Sequence, residues 1–127
     1  REGFLDGSID WDSHTIYLVL MDHTDDTPNV ATDDNLDDLA SAGRVALSAA
    51  GLANKTVTHG VADSDDYTFE TVTGDGADSL NIYKETGTES TSRLIAYIDS
   101  ATGLPVTPNG GNITAQWDSG TNKIFKL

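Results

Sequence analysis

The sequence predicts a mainly β protein, a single-domain antiparallel β-sandwich or small β-barrel with one short helix near residues 34–42. Two observations support this prediction. Short segments rich in β-branched and aromatic residues recur along the chain, and clusters of Gly, Asn, Asp and Ser separate them. In addition, 17 of the 21 acidic residues are Asp, which favours turns and caps over helix interiors.

The size of the chain limits its organisation. With 127 residues and 37% hydrophobic content, residues 1–127 are expected to form one β domain. No apolar stretch reaches about 18 residues, and no basic segment is followed by an apolar one at the start, so we expect neither a membrane span nor a secretory signal. The chain has no cysteine, so its core is expected to depend on packing rather than on disulfides.

The first elements are indicated by apolar patterning. Residues 15–21 form a continuous apolar run, which predicts a central strand covered on both faces. An acidic tract, residues 22–38, follows it. At the end of this tract Leu36, Leu39 and Ala40 have helical spacing behind Asp and Asn cap residues, which predicts the short helix.

The rest of the chain is predicted as strands and turns. Further strand-like segments are residues 44–48, 55–58, 66–73, 79–84, 93–99 and 113–117. We expect the first two to pair, and the next three to follow one another as antiparallel strands. Pro105 and Pro108 make residues 104–109 a poor central strand, so this segment is expected along an edge. The last ten or so residues are expected to form a hairpin with residues 113–117.

The charge balance disfavours one class of partner. Seven Lys and Arg against 21 Asp and Glu give a net charge of −14. Nucleic-acid binding requires cationic side chains that neutralise phosphates. We therefore expect no direct nucleic-acid partner.

The acidic clusters have a simpler interpretation than metal binding. Asp63, Asp65 and Asp66 alternate as in calcium loops, but the glycine and the glutamate of an EF-hand are not at the required positions. A solvated turn is favoured there. The aspartates at the start of the predicted helix already have a structural role beside the helix dipole. We predict no metal ligands.

No catalytic motif stands out. The sequence contains no HExxH, GxSxG, P-loop or GxGxxG pattern. His14, His23 and His59 each lie beside a predicted turn or strand end and are expected on the surface. We predict no catalytic and no cofactor-binding residues, and the protein is expected not to be an enzyme. Among enzymatic alternatives, the residues favour metal-dependent hydrolysis at Asp63, Asp65 and Asp66 most.

Two tryptophans offer a binding alternative. Trp11 and Trp117 are of the residue type that stacks on sugar rings, although each more often anchors a core or an interface. A receptor- or glycan-binding β module is therefore kept as an alternative function.

The order of several short motifs resembles that of small virion structural proteins encoded by tailed bacteriophages and prophages. The resemblance covers nearly the whole chain and is strongest toward the end. The segments that carry it are residues 4–11, 15–20, 36–39, 44–46, 60–63, 68–69, 82–84, 92–99, 103–111 and 117–118. The sequence departs from the pattern mainly in the extra acidic residues of the acidic tract.

The resemblance implies a non-enzymatic virion protein that binds other virion proteins. The expected function is that of a capsid decoration or cement protein, which binds the major capsid protein in many copies, stabilises the shell and associates with copies of itself as a dimer or trimer. The expected location is the capsid surface of the virion, after assembly in the bacterial cytoplasm. A tail or neck protein is the structural alternative.

Two segments are predicted to contact partners. The first contains prolines, which leave its backbone incompletely paired in a sheet, and the second is acidic and suited to basic capsid loops. The predicted contact residues are Leu104, Pro105, Val106, Pro108 and Asn109 in the first, and Asp33, Asp34 and Asp37 in the second.

Overall fold

The structure, a computed structural model, describes residues 2–127 and confirms the mainly β prediction. One α-helix, α1 (Glu2–Leu5), and three 3-10 helices (Leu36–Asp38, Ser41–Gly43 and Glu89–Thr91) occur within this range. The strands are β1 (Ile16–Met21), β2 (Arg44–Leu47), β3 (Thr56–Thr58), β4 (Val61–Asp63), β5 (Tyr67–Phe69), β6 (Ser79–Lys84), β7 (Leu94–Ile98), β8 (Ile113–Ala115) and β9 (Phe125–Lys126). Among the described residues, no helix is long and apolar enough to cross a bilayer.

The strands form three antiparallel sheets. The central sheet has the order β2-β1-β6-β7, and β1 and β6 are aligned over six residue pairs, from Ile16↔Lys84 to Met21↔Ser79. Two smaller sheets have the orders β3-β4-β9 and β5-β8. The prediction that residues 15–21 form a central strand is therefore confirmed.

Alternation along β1 and β6 places apolar side chains on both faces of the central sheet. On one face, Leu18 and Ile82 belong to the main core, which also holds Ala62 and Phe69 from the smaller sheets. The opposite face has a second cluster of five buried residues, Val19, Met21, Leu36, Leu39 and Tyr83. The end of the acidic tract and the residue after it thus cover this second face of the central sheet, against which Leu36 and Leu39 pack.

The helical segment predicted near residues 34–42 is found as two 3-10 turns. The backbone N–H groups of Asp34 and Asn35 donate to Asp38 Oδ2 at 2.9 and 3.0 Å, and Leu39 leaves the helical conformation. The Asn35–Asp38 contact is part of a capping box, which fixes where the first turn begins, and the extended backbone of Leu39 ends that turn after Asp38.

Three of the predicted pairings are wrong. Residues 66–73 do not pair with residues 79–84, because β5 pairs with β8 and β6 lies between β1 and β7. Residues 44–48 and 55–58 do not pair with each other, because β2 pairs with β1 and β3 pairs with β4, a strand that the sequence did not indicate. The terminal strand does not form a hairpin with residues 113–117. It pairs with β4 through Ala62↔Phe125, while β8 pairs with β5.

Aromatic packing accounts for the position of β9. The Phe125 ring lies 5.2 Å from that of Trp11 in an edge-to-face arrangement and 5.9 Å from that of Phe4. Both partners come from the first eleven residues, so the two ends of the chain pack together. These contacts are remote in sequence, and no local pattern indicates them.

Candidate functional site

The proline-containing segment is held at one point. The backbone N–H groups of Ala77 and Val106 each donate to the other's carbonyl, at 2.8 and 2.9 Å, in an isolated antiparallel bridge. Leu104, Val106 and Pro108 are half-buried, whereas Pro105 and Asn109 are exposed. The segment is therefore not a central strand, and its one bridge lies outside the named strands rather than along the edge of a sheet.

The acidic tract is tied to β7 at its other end. The Leu94 N–H donates to the backbone oxygen of Asp34 at 2.9 Å. The carboxylate of Asp33 accepts from the Asn29 N–H at 2.6 Å, which holds the loop before it. Asp34 and Asp37 are exposed.

Arg44 holds the end of the acidic tract in place through hydrogen bonds to its backbone. Its side chain is only 7% exposed. The guanidinium donates to the Leu36 and Leu39 carbonyl oxygens, each at 2.7 Å, and forms a two-pronged contact with the Glu89 carboxylate at 2.7 and 3.0 Å. The hydrogen bonds lower the pKa of Glu89. The backbone that bears the exposed Asp34 and Asp37 is thus held in place by these contacts.

Both predicted contact segments reach the same strand. A groove of about 260 Å³ is lined by Asp33 and Asp34 on one side and by residues 94–97 of β7 on the other. A larger cleft, of about 610 Å³, is lined by Ile98, Leu104 and Val106 together with β8. We call residues 33–34, 94–98, 104 and 106 the β7 edge surface. Its strand is an edge of the central sheet, and all five of its residues are half-buried.

Some predicted contact residues lie outside this surface. Asp37 lies on the first 3-10 helix and lines neither the groove nor the cleft. Pro105, Pro108 and Asn109 also lie outside the lining of both. The structure therefore brings together part of each predicted set.

Among the described residues, Arg93 is the cation that lines the groove, and two acidic side chains flank it. Its guanidinium nitrogens lie 3.8 Å from Glu2 Oε2 and 3.9 Å from Asp6 Oδ2. Ser8 and then Arg93 lower the pKa of Asp6. Because Glu2 and Asp6 balance the charge of Arg93, the groove keeps the negative charge of Asp33 and Asp34.

His23 is not the surface residue expected from the sequence. Its ring Nε2 lies 2.9 Å from the buried Ser79 Oγ and 3.2 Å from the Tyr97 hydroxyl, and its backbone N–H donates to Asp78 Oδ2. Burial, and then the charges of Asp99 and Asp78, raise the pKa of Tyr97. The cluster joins the end of β1 to β6 and β7, a contact that sequence reasoning missed.

The carboxylates singled out as a calcium-like series make separate contacts. Asp63 lies 3.5 Å from Lys123 Nζ, Asp65 accepts from Asn54 and Asp66 accepts from the Trp117 N–H. A different set, Asp22, Asp25 and Asp75, brings one carboxylate oxygen each to within 4.8 Å of the others. These three carboxylates come from the loop after β1 and from the turn before β6.

The two tryptophans differ in accessibility. Trp11 is only 2% exposed and its indole N–H donates to the Asp63 carbonyl at 3.1 Å, so its ring is part of the core and is not available for stacking on a sugar. Trp117 is half-buried, and its indole N–H donates to the Asp65 carbonyl at 3.0 Å. The stacking alternative is thereby restricted to Trp117.

No protein-family model matches the chain, and no curated protein matches it with significant similarity.

Proposed function

We propose that this chain is a non-enzymatic structural protein of a tailed-phage virion, acting as a decoration or cement protein that binds the major capsid protein in many copies. The observation that carries the proposal is the β7 edge surface, where two segments suited to partner binding lie beside one edge strand. The resemblance in motif order supplies the virion context.

The surface has the composition that such binding requires. Half-buried apolar residues of β7 offer area that a partner can remove from water. Asp33 and Asp34 add negative charge to one end of it. Charge complementarity of this kind accelerates association and selects basic partners. Basic loops of a capsid subunit would fit this end of the surface.

The mechanism is a gain of interface at the seams of the shell. A shell filled with DNA is under outward pressure, and a module that contacts two neighbouring capsomers adds buried area where they meet. Copies of this chain would associate as a dimer or a trimer at the symmetry positions of the shell. The protein would be assembled in the host cytoplasm and remain on the capsid surface.

Copy number in purified virions tests the proposal. Quantitative mass spectrometry against the major capsid protein is expected to give about one copy per capsid subunit, or a fixed third of that. A dozen copies or fewer would assign the protein to the neck or tail instead. Absence from particles would refute a virion role.

A charge reversal tests the surface itself. Asp34→Lys changes the exposed charge beside β7 and is expected to lower the copy number several-fold, since the partner is basic. Asp12→Lys makes the same change at an exposed position outside the groove and the cleft, and is the matched control. Equal occupancy for the two variants would show that the β7 edge surface is not the contact.

A further inference from the structure

The larger cleft runs along one edge of β8. One wall consists of the consecutive residues 112–118, and the other includes Ile98 and residues 100–104. Side chains alternate between the two faces of a strand, so a wall made of consecutive residues is the edge of the strand and not one of its faces. The cleft therefore borders an unpaired strand edge.

Contacts on the opposite edge show which backbone groups face the cleft. Ile113, Thr114 and Ala115 of β8 are paired with β5, and the hydroxyls of Thr114 and its partner Thr68 lie 2.9 Å apart. Side chains approach this closely in the pairs whose backbone groups are not bonded to each other. The Trp117 N–H also donates toward β5, to Asp66 Oδ1 at 2.9 Å. Backbone groups alternate in direction along an antiparallel strand. Those of Thr114 consequently point into the cleft, and Gln116, which directly follows β8, lies between two residues whose groups face β5. Within residues 2–127 no strand pairs with the cleft edge of β8.

The floor of the cleft is apolar. Leu20, Phe69 and Leu80, each at most 7% exposed, lie at its base. Ile113 and Ile124 are half-buried beside them. An open strand edge next to an apolar floor is the arrangement that accepts an added strand: backbone hydrogen bonds hold the strand, and pockets receive alternate side chains.

Charge indicates the nature of the occupant. Lys123 is a cation in the wall of the cleft, and its Nζ lies 3.5 Å from Asp63 Oδ2. Asp118 also lines the cleft, and the exposed Asp99 directly follows Ile98. The chain as a whole carries −14. A second copy would bring the same charge into contact with itself, whereas a basic segment would be attracted.

We propose that the cleft beside β8 binds an extended, basic segment of another protein as an added β-strand, hydrogen-bonded to Thr114 and Gln116 and with alternate apolar side chains on the cleft floor. This inference rests on the proposed function in that a shell protein would supply the segment. The binding reaction itself is tested separately, with the whole chain and a synthetic peptide.

The probe is an eight-residue peptide of alternating lysine and valine, blocked at both ends. Calorimetry measures its affinity, and amide NMR spectra locate it. Slower hydrogen exchange is expected at the Thr114 and Gln116 amides, with Ala115 unchanged. A peptide N-methylated at alternate amides is expected to bind at least tenfold more weakly, because it cannot form the ladder. Replacing lysine with glutamate is expected to have an effect of similar size.

A matched pair of protein variants tests the location. Ala101→Trp places a large ring at the wall of the cleft and is expected to weaken peptide binding at least tenfold. Ala31→Trp adds the same ring at an exposed position on the acidic tract and is expected to leave binding unchanged. If both variants bind the peptide equally well, the cleft is not the site.

Three other outcomes would overturn the proposal. The N-methylated peptide could bind as tightly as the parent, which would indicate charge attraction alone. The protein could dimerise through β8 in sedimentation experiments, which would make a second copy the occupant. The cleft could bind an apolar dye and no peptide.

A high copy number in virions combined with no peptide binding would reject only the added strand, whereas peptide binding without virion incorporation would reject only the shell function.

Discussion

At the level of single residues, Arg44 has the most consequential contacts. It is buried beneath the acidic tract, and its guanidinium satisfies two backbone carbonyls in addition to Glu89. A charged donor that serves backbone oxygens in a buried position contributes more than the ion pair alone, since losing it leaves acceptors without a donor.

Arg44→Met is therefore expected to lower the free energy of unfolding by about 2 to 3 kcal/mol. Glu89→Gln removes only the ion pair, whose carboxylate is 53% exposed, and is expected to cost about 1 kcal/mol or less. Urea unfolding followed by circular dichroism measures both variants. Equal losses would mean that the ion pair, and not the carbonyl contacts, stabilises the tract.

Asp38 makes the tract sensitive to acid. Hydrogen bonds from the backbone N–H groups of Asn35 and then Asp34 lower the pKa of Asp38. A carboxyl group whose pKa is lower in the folded state stabilises the fold fully above the unfolded value of about 3.9. This stabilisation is lost as the pH falls through the lower, folded value.

The stability difference between the wild type and Asp38→Asn is expected to be largest near pH 6 and to shrink toward zero as the pH falls through the lowered pKa of Asp38. Asp38→Ala removes the acceptor itself, so its deficit should persist at low pH. Thermal unfolding from pH 2.5 to 6 measures these differences. A constant difference for Asp38→Asn would show that the ionised form makes no special contribution.

At the level of secondary-structure elements, local sequence patterns predict whether a strand forms better than they predict which strand it pairs with. The apolar run of β1 and the hairpin of β6 with β7 are evident from the sequence and are confirmed. β4 escaped prediction because its two apolar residues, Val61 and Ala62, stand between Gly60 and Asp63, which are residue types that favour turns. The β8–β9 hairpin is wrong because β9 is positioned by aromatic rings at the start of the chain.

The same distinction applies to the candidate site. The proline-containing and acidic segments are visible as compositions, but their position beside β7 depends on the Ala77–Val106 bridge and on the hydrogen bond from Leu94 to Asp34. Each contact joins positions almost thirty residues apart or more. No periodicity within a short window indicates such a contact.

Phe125→Ala tests the placement of β9. It removes a half-buried ring packed on two others and is expected to cost about 2 kcal/mol. Leu127→Ala, at a side chain that is 59% exposed, is the control and should change stability by less than about 0.5 kcal/mol. Urea unfolding measures both variants. A small effect of Phe125→Ala would contradict the packing of β9 against the start of the chain.

For the whole molecule, the dominant quantity is its net charge of −14. Self-repulsion of this charge favours the expanded chain, and added salt screens it. Within residues 2–127, the ion pairs that salt would weaken are few and mostly exposed. Screening is therefore expected to stabilise the fold.

Raising sodium chloride from 0.05 to 0.5 M should increase Tm. A gain of about 1 kcal/mol corresponds to roughly 4 °C for a domain of this size. Scanning calorimetry at constant pH measures the shift. A decrease in Tm would show that the attractive pairs outweigh the repulsion.

The coverage of the central sheet on both faces has a consequence for how the protein opens. β1 and β6 are shielded by the main core on one side and by the leucines of the acidic tract on the other, with β2 and β7 along their edges. Their backbone amides can meet solvent only when the whole domain comes apart, whereas those of the short strands β3 and β9 are released by local fraying. In deuterated water, the amides of β1 and β6 should be the last to exchange, at the rate set by global unfolding.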